Sequence, residues 1–208
     1  MKRYIQYGCG FSAPDGWVNY DASPTLRFER LPVLGKLYTR NIQRFPDNVK
    51  YGDIVSGLPE QQDSCDGLYC SHILEHLSYN DFATALKNSY RILKPGGVFR
   101  GVVPDLKIAA LQYLHSFDNL DAPANEFMRS TMLGIESRGK GILSGLKGLY
   151  GNSKHLWMWD YQSLQAELTR AGFKEIRPAL FNDSADSHFT SVEEESRFYN
   201  AAAFECTK

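Results

Sequence analysis

The sequence predicts an α/β fold of three layers, a mostly parallel sheet covered on both faces by helices. Two observations carry this. Strand-like runs alternate with helical periodicities over most of the 208 residues, and glycine turns punctuate the strands at Gly8-Cys9-Gly10 and Lys94-Pro95-Gly96-Gly97. Composition agrees, since 43% of residues are hydrophobic and 23% charged, which excludes disordered, collagen-like and disulfide-scaffold classes. The length suits one domain, residues 1–208, carrying an insertion at about 118–160. A net charge of −1 excludes a dedicated nucleic-acid binder. No window approaches the roughly 18 apolar residues of a membrane span, and Lys2, Arg3, Gln6, Asp15 and Asp21 interrupt the place of a secretory core, so a cytoplasmic protein is expected. Cys9, Cys65, Cys70 and Cys206 form no Cys-x-x-Cys pair and read as reduced core thiols.

The elements follow in order. Tyr4 to Tyr7 is a strand ending in the first glycine turn, Trp17 to Asp21 a second, Asn48 to Val55 holds a third around Asp53, and Cys65 to Ser71 makes a fourth. Phe82, Ala85, Leu86, Tyr90 and Leu93 recur at helical spacing between Asp81 and Leu93, and Val98 to Val103 then reads as a buried fifth strand. Asp105 is a plausible N-cap for a helix to about Phe117, with another helix from about Asn125 to Leu133. Residues 134–151 hold six of the seventeen glycines, with Arg138, Lys140 and Lys147, and read as a lid. Asp160 caps a helix ending at Gly172, Phe173 to Ile176 starts a sixth strand, and Phe198 to Cys206 is the last, after a polar stretch from Asn182 to Glu195.

Several motifs in this order resemble the class I methyltransferases that use S-adenosylmethionine, over about residues 4–178. Tyr7-Gly8-Cys9-Gly10 is similar to the glycine loop after strand one, Asp21 to the acid that holds the ribose hydroxyls, and Gly52-Asp53-Ile54 to the segment that meets adenine. Ser71-His72-Ile73-Leu74-Glu75-His76-Leu77 resembles the segment after strand four in the branch with ubiquinone-type enzymes, and Leu93 to Gly97 the turn before strand five. The resemblance implies a Rossmann-like, seven-stranded sheet with an antiparallel last strand, and S-adenosylmethionine as cofactor, bound by Tyr7, Gly8, Cys9, Gly10, Asp21, Asp53, Ile54, Ser71 and His72. The tail from Asp183 to Arg197 resembles bacterial members associated with surface-polysaccharide pathways.

Two departures stand out. Gln6 occupies the position where the family has Asp or Glu, so its usual anchor is missing or supplied elsewhere. Gly8 and Asp21 are only 21 − 8 = 13 residues apart, too short for a full crossover helix. That spacing also weakens a nicotinamide-dependent oxidoreductase, whose fingerprint opens a helix with its acid about 20 residues on.

Methyl transfer to an oxygen needs alignment and a base. Candidate bases are His155, His72, His76 and Asp105, with His155 following the glycine-rich lid directly and Asp105 read mainly as a helix cap. Trp157 and Trp159 are candidates to stack on an acceptor ring, with core packing the commoner role. His72-Ile73-Leu74-Glu75-His76 also spells the His-x-x-Glu-His of inverted zinc peptidases, but His72 at a strand end breaks the helix that chemistry needs. A divalent ion on His72, Glu75 and His76, with His155, is a further option, since some related methyltransferases use Glu-x-x-Glu-His. Capping and packing by Glu75 and His76 is preferred, and no metal is assigned. Arg27, Arg30, Lys36, Arg40, Arg44 and Lys50 against Glu29 and Asp47 give residues 25–50 a local 6 − 2 = +4, which would suit an anionic acceptor or form a solvated face. The expected activity is methyl transfer to a small molecule or glycan, with no nucleic acid and no membrane span; the alternative is a non-catalytic partner-binding protein that keeps the fold.

Overall fold

The computed structural model describes residues 2–32, 35, 43–135 and 154–208. Its centre is a seven-stranded sheet of β1 (Tyr4–Tyr7), β2 (Trp17–Asp21), β3 (Val49–Tyr51), β4 (Cys65–Ser71), β5 (Leu93–Pro104), β6 (Lys174–Pro178) and β7 (Ala201–Thr207), in spatial order β3-β2-β1-β4-β5-β7-β6. The pairs from β3 to β5 are parallel, and β7 runs antiparallel to both β5 and β6. The order reverses between β1 and β4, the switch point beyond whose strand ends ligands bind in such sheets.

The helices are α1 (Pro24–Glu29), α2 (Tyr79–Ile92), α3 (Leu106–Ser116), α4 (Pro123–Ser130) and α5 (Tyr161–Ala171). The short α1 is an element the sequence reading lacks, although Ser23 caps it and Pro24 opens it. Helix α2 starts at Tyr79 under a Ser78 cap and buries Phe82, Ala85, Leu86 and Ile92 against the sheet. Asp105 and Asp160 cap α3 and α5 as expected, and Gly172 ends α5 at φ 103°. The third strand is shorter than expected: it ends at Tyr51, so Asp53 lies in the turn that follows. The last strand begins at Ala201, because residues 195–198 form a single 3-10 turn. Most of the proposed lid, with Arg138, Lys140 and Lys147, lies outside the described residues, as do Lys36 and Arg40.

Strand alternation divides the core in two. Ile5, Tyr7, Leu68, Cys70, Phe99, Val103 and Phe204 face α2 and α5 in a dry apolar layer. Tyr4, Trp17, Tyr69, Val102 and Ala203 face the other way, and no helix lies between β1 and β2. A strap from Asn182 to Phe198 covers that face instead, placing Phe189 and Val192 on the sheet, and Trp17 donates to Ser191 Oγ at 2.9 Å. Each such fully buried side chain contributes roughly 1.5–3 kcal/mol. Several acids of this polar stretch are engaged by the sheet: Arg100, 1% exposed, donates to Glu193 and Asp183, and to Glu205 of β7, while Asp186 accepts from Tyr4.

The short loop in place of a first crossover helix is built by two amides on this face. Gln6 Nε2 donates to the Ser12 carbonyl at 2.8 Å and to Asn19 Oδ1 at 2.6 Å, and Asn19 Nδ2 donates to the Pro14 carbonyl at 3.3 Å. Gln6 is thus a structural brace of the loop, which accounts for its departure from the expected acid.

Candidate active site

A cavity of about 400 Å³ opens at the C-terminal ends of β1, β2 and β4. It is lined by Tyr7, Gly8, Asp21, Asp53, Ile54 and His72, all expected as cofactor-binding residues, by Gly52, Ile73, His76 and Leu77 from the same motifs, and by the unexpected Ser23. Gly8 sits at φ 65°, and a Cβ on it would come within 2.1 Å of Ile73 Cδ1, so the turn admits only glycine. Asp21, 8% exposed, accepts from the Gly10 amide at 2.9 Å and from the Ser23 amide at 2.7 Å, tying the glycine turn to the start of α1. Each carboxylate oxygen accepts more than one hydrogen bond, so both keep capacity for a diol in the cavity. Asp53 accepts from the Val55 amide and the Ser56 hydroxyl, which fixes the turn that presents Ile54 to the same space.

Gly10 acts through Asp21 and is not a lining residue, while Cys9 and Ser71 line a smaller cleft of about 50 Å³ behind the turn. Gln6, Tyr7 and Gly8 share that cleft with Glu194 and Arg197 of the strap. A third cavity, about 210 Å³, lies on the far side of His72 and is lined by Pro104, Asp105, Gln112, Thr131, Tyr199 and Asn200. His72, at φ 55°, is the residue that the two larger spaces share. Asp105 Oδ1 caps α3 by accepting from the Lys107 amide at 2.8 Å.

Beside His72 the chain forms only a 3-10 turn, Leu74–His76, so the His-x-x-Glu-His order never occupies one helix face. Glu75 and His76 do not cap α2 either, because Ser78 does. Glu75 is fully buried, and His72 Nδ1, His76 Nε2 and His155 Nε2 approach its Oε1 at 3.4, 3.9 and 3.9 Å. His155 lines neither of the larger cavities and is itself buried. The segment carrying it is clamped down by the Leu156 and Trp157 amides, which donate to the Glu75 carbonyl at 2.8 and 3.1 Å. Trp159 is core, stacked on Phe82 at 4.0 Å, whereas Trp157 is 45% exposed beside Tyr79.

Burial lowers the His155 pKa against the pull of Glu75. For His72 burial acts in the same direction, but the nearby Glu75 carboxylate and the Arg197 carbonyl outweigh it and the pKa is raised. Burial pushes the Cys9 and Cys70 thiols up to about 12, so neither offers a thiolate at neutral pH.

Residues 7–100 match the family model for a methyltransferase domain. The match makes residues 7–100 a methyltransferase domain of the S-adenosylmethionine-dependent kind, with S-adenosylmethionine as its cofactor. The fold is shared with a SAM-dependent methyltransferase from Archaeoglobus fulgidus (14% identity, TM-score 0.53, 100% of this chain and 86% of that one). It is also shared with a possible histamine N-methyltransferase from Thermotoga maritima (18% identity, TM-score 0.50, 100% and 83%) and with PigF solved with SAH (16% identity, TM-score 0.51, 100% and 50%). A comparison with curated proteins gives no match. The cavity fits the cofactor in kind: its volume lies within the roughly 300–1,000 Å³ of small-molecule sites, with a glycine turn where backbone must approach and two carboxylates for hydroxyl and amine donors.

Proposed function

We propose that the chain transfers the methyl group of S-adenosylmethionine to an oxygen of a small polar molecule or glycan bound in the 210 Å³ cavity. One observation carries this: His72 lines both that cavity and the cofactor space, so donor and acceptor would meet at its ring. In the cofactor space Asp21 would hold the ribose hydroxyls, Asp53 and Ile54 the adenine, and the Gly8 turn the backbone contact. The anchor absent at Gln6 would come from the strap, through Glu194 and Arg197 beside Gly8.

Among the four candidate bases, Asp105 fits best. One of its oxygens is the helix cap, the other is left for an acceptor hydroxyl, and it lines the acceptor cavity. The three imidazoles point at Glu75 and serve as positioning residues. The described lining of this cavity includes no Lys or Arg, which favours a neutral polyol over an anionic acceptor. Three of the four described cations of the basic segment are also engaged: Arg30 on the Pro46 carbonyl, Arg44 on the Gly35 carbonyl and Arg27 over Tyr51. Four unpaired buried cysteines support a cytoplasmic setting, and no helix of the described residues is long and apolar enough to cross a membrane.

Calorimetric titration with S-adenosylmethionine, S-adenosylhomocysteine and NAD tests the cofactor half, with micromolar affinity, about −8 kcal/mol, expected for the first two alone. A screen of labelled methyl transfer to polyols then tests the acceptor half. Asp105→Asn is expected to lower kcat by about 100-fold or more at unchanged cofactor affinity. Full turnover in that variant removes Asp105 as the base.

A further inference from the structure

The environment of Glu75 is chemically incomplete as a purely structural cluster. Its two carboxylate oxygens are buried and receive no hydrogen bond among the described residues, and the same is true of His155 Nδ1. Burying an unpaired carboxylate is expensive, and most buried polar atoms find partners. The outer nitrogens of two neighbours are nevertheless well satisfied. A carbonyl only accepts, so His76 Nδ1 donates its proton to the Lys154 carbonyl and His72 Nε2 to the Arg197 carbonyl, each at 2.9 Å. In a neutral ring the inner nitrogen then carries a lone pair, and both inner nitrogens face the same carboxylate oxygen. A lone pair turned on an anion is repelled unless a cation, a proton on the ring or a bound ion, lies between them.

We propose that Glu75, His76 and His155 bind a divalent first-row transition metal, with His72 as a fourth ligand, in the wall between the two cavities. The ligand atoms of Glu75, His76 and His155 lie within 4.8 Å of one another. Bonds of roughly 2.0–2.2 Å to a tetrahedral ion place neighbouring donors about 3.4 Å apart. The carboxylate-to-imidazole separations of 3.4–3.9 Å are close to that, and the other separations, within 4.8 Å among Glu75, His76 and His155, would close by side-chain movement. Outer N–H groups held by backbone carbonyls are also what fixes the tautomer and ring orientation of metal-binding histidines.

The donor set is rich in imidazole with one carboxylate, which selects zinc, copper, iron or nickel over calcium and magnesium. It also joins two distant stretches of chain, the turn after β4 and the segment that returns at Lys154. An ion here would therefore pin the Lys154–Trp157 segment beneath the acceptor cavity, whose wall includes Met158.

This inference does not depend on the methyl-transfer reading, because metal binding is measured without cofactor or acceptor. Chelator-stripped protein would be titrated calorimetrically with zinc chloride, and its cobalt(II) complex followed by visible absorption. One equivalent is expected, with cobalt bands of a low-coordinate nitrogen and oxygen site. Glu75→Gln and His155→Ala should each weaken zinc binding by about 100-fold or more. His188→Ala, outside the cluster, should change nothing. Circular dichroism checks folding, and His76→Ala, at a less buried position, repeats the test should a buried substitution unfold the chain. Substoichiometric uptake, or uptake unaffected by the cluster variants, would overturn the proposal.

Discussion

Two buried glutamates of this molecule live in opposite circumstances. Glu193, on the strap, has a fully buried side chain that accepts from Arg100 Nε at 2.6 Å and from the Asn182 amide at 2.6 Å. Glu75, after β4, is as deeply buried, yet its carboxylate has no hydrogen-bond donor among the described residues and three imidazoles for company. The first carboxylate is compensated within the fold and stabilises it. The second carries a cost that the fold alone leaves uncompensated, which is the signature of a group kept for binding.

The contrast is broken most severely at Arg100. Arg100→Met strands Glu193 in the interior, and urea denaturation should show a loss of about 3–5 kcal/mol. At the cofactor cavity, Asp21→Asn keeps the shape but removes charge from the hydrogen bonds to Gly10 and Ser23. S-adenosylmethionine affinity should fall by roughly 10-fold to 100-fold with little change in fold. Acid reads the strap collectively. Partial desolvation alone would raise the pKa values of the Asp183 and Glu205 carboxyls, but hydrogen bonds, from Arg177 and Arg100 among others, hold both below the ordinary carboxylate values. Depressed folded-state values mean that the stabilisation is complete above the unfolded pKa of about 4 and is lost as pH falls further, so near-ultraviolet dichroism of Trp17 should change below about pH 4. The smallest expected effect sharpens the comparison most. In metal-free protein Glu75→Gln should be neutral or slightly stabilising in the same urea assay, whereas the equivalent Glu193→Gln should cost about 1–3 kcal/mol.

Much of this was legible in the chain. Strand alternation, the Asp105 and Asp160 caps, Gly172 and the glycine turn placed most elements correctly, because each rests on local physics acting within a few residues. Asp21 and Asp53 were singled out by the motif resemblance, and both line the cavity. The Ser23-Pro24 start of α1 was also a local signal, and reading it would have added Ser23 to the cavity lining. The strap was not legible: Phe189 and Val192 sit in a polar, helix-poor stretch, and their burial depends on a sheet face left bare some 170 residues earlier. The convergence of His155 on Glu75 was hidden for the same reason, since it joins segments whose separation only the tertiary fold removes.

The strap also has a consequence for how the chain is made. Trp17 meets Ser191 across 174 residues, an interval that takes roughly ten to thirty seconds of translation at about 5–20 residues per second. Throughout that time the nascent sheet shows Tyr4 and Trp17, and later Tyr69, to solvent or to a chaperone, and the glycine turn lacks the cover that closes behind it. The lining of the 400 Å³ cavity runs from Tyr7 to Leu77, yet the cleft behind its glycine turn closes only after Arg197 has been made.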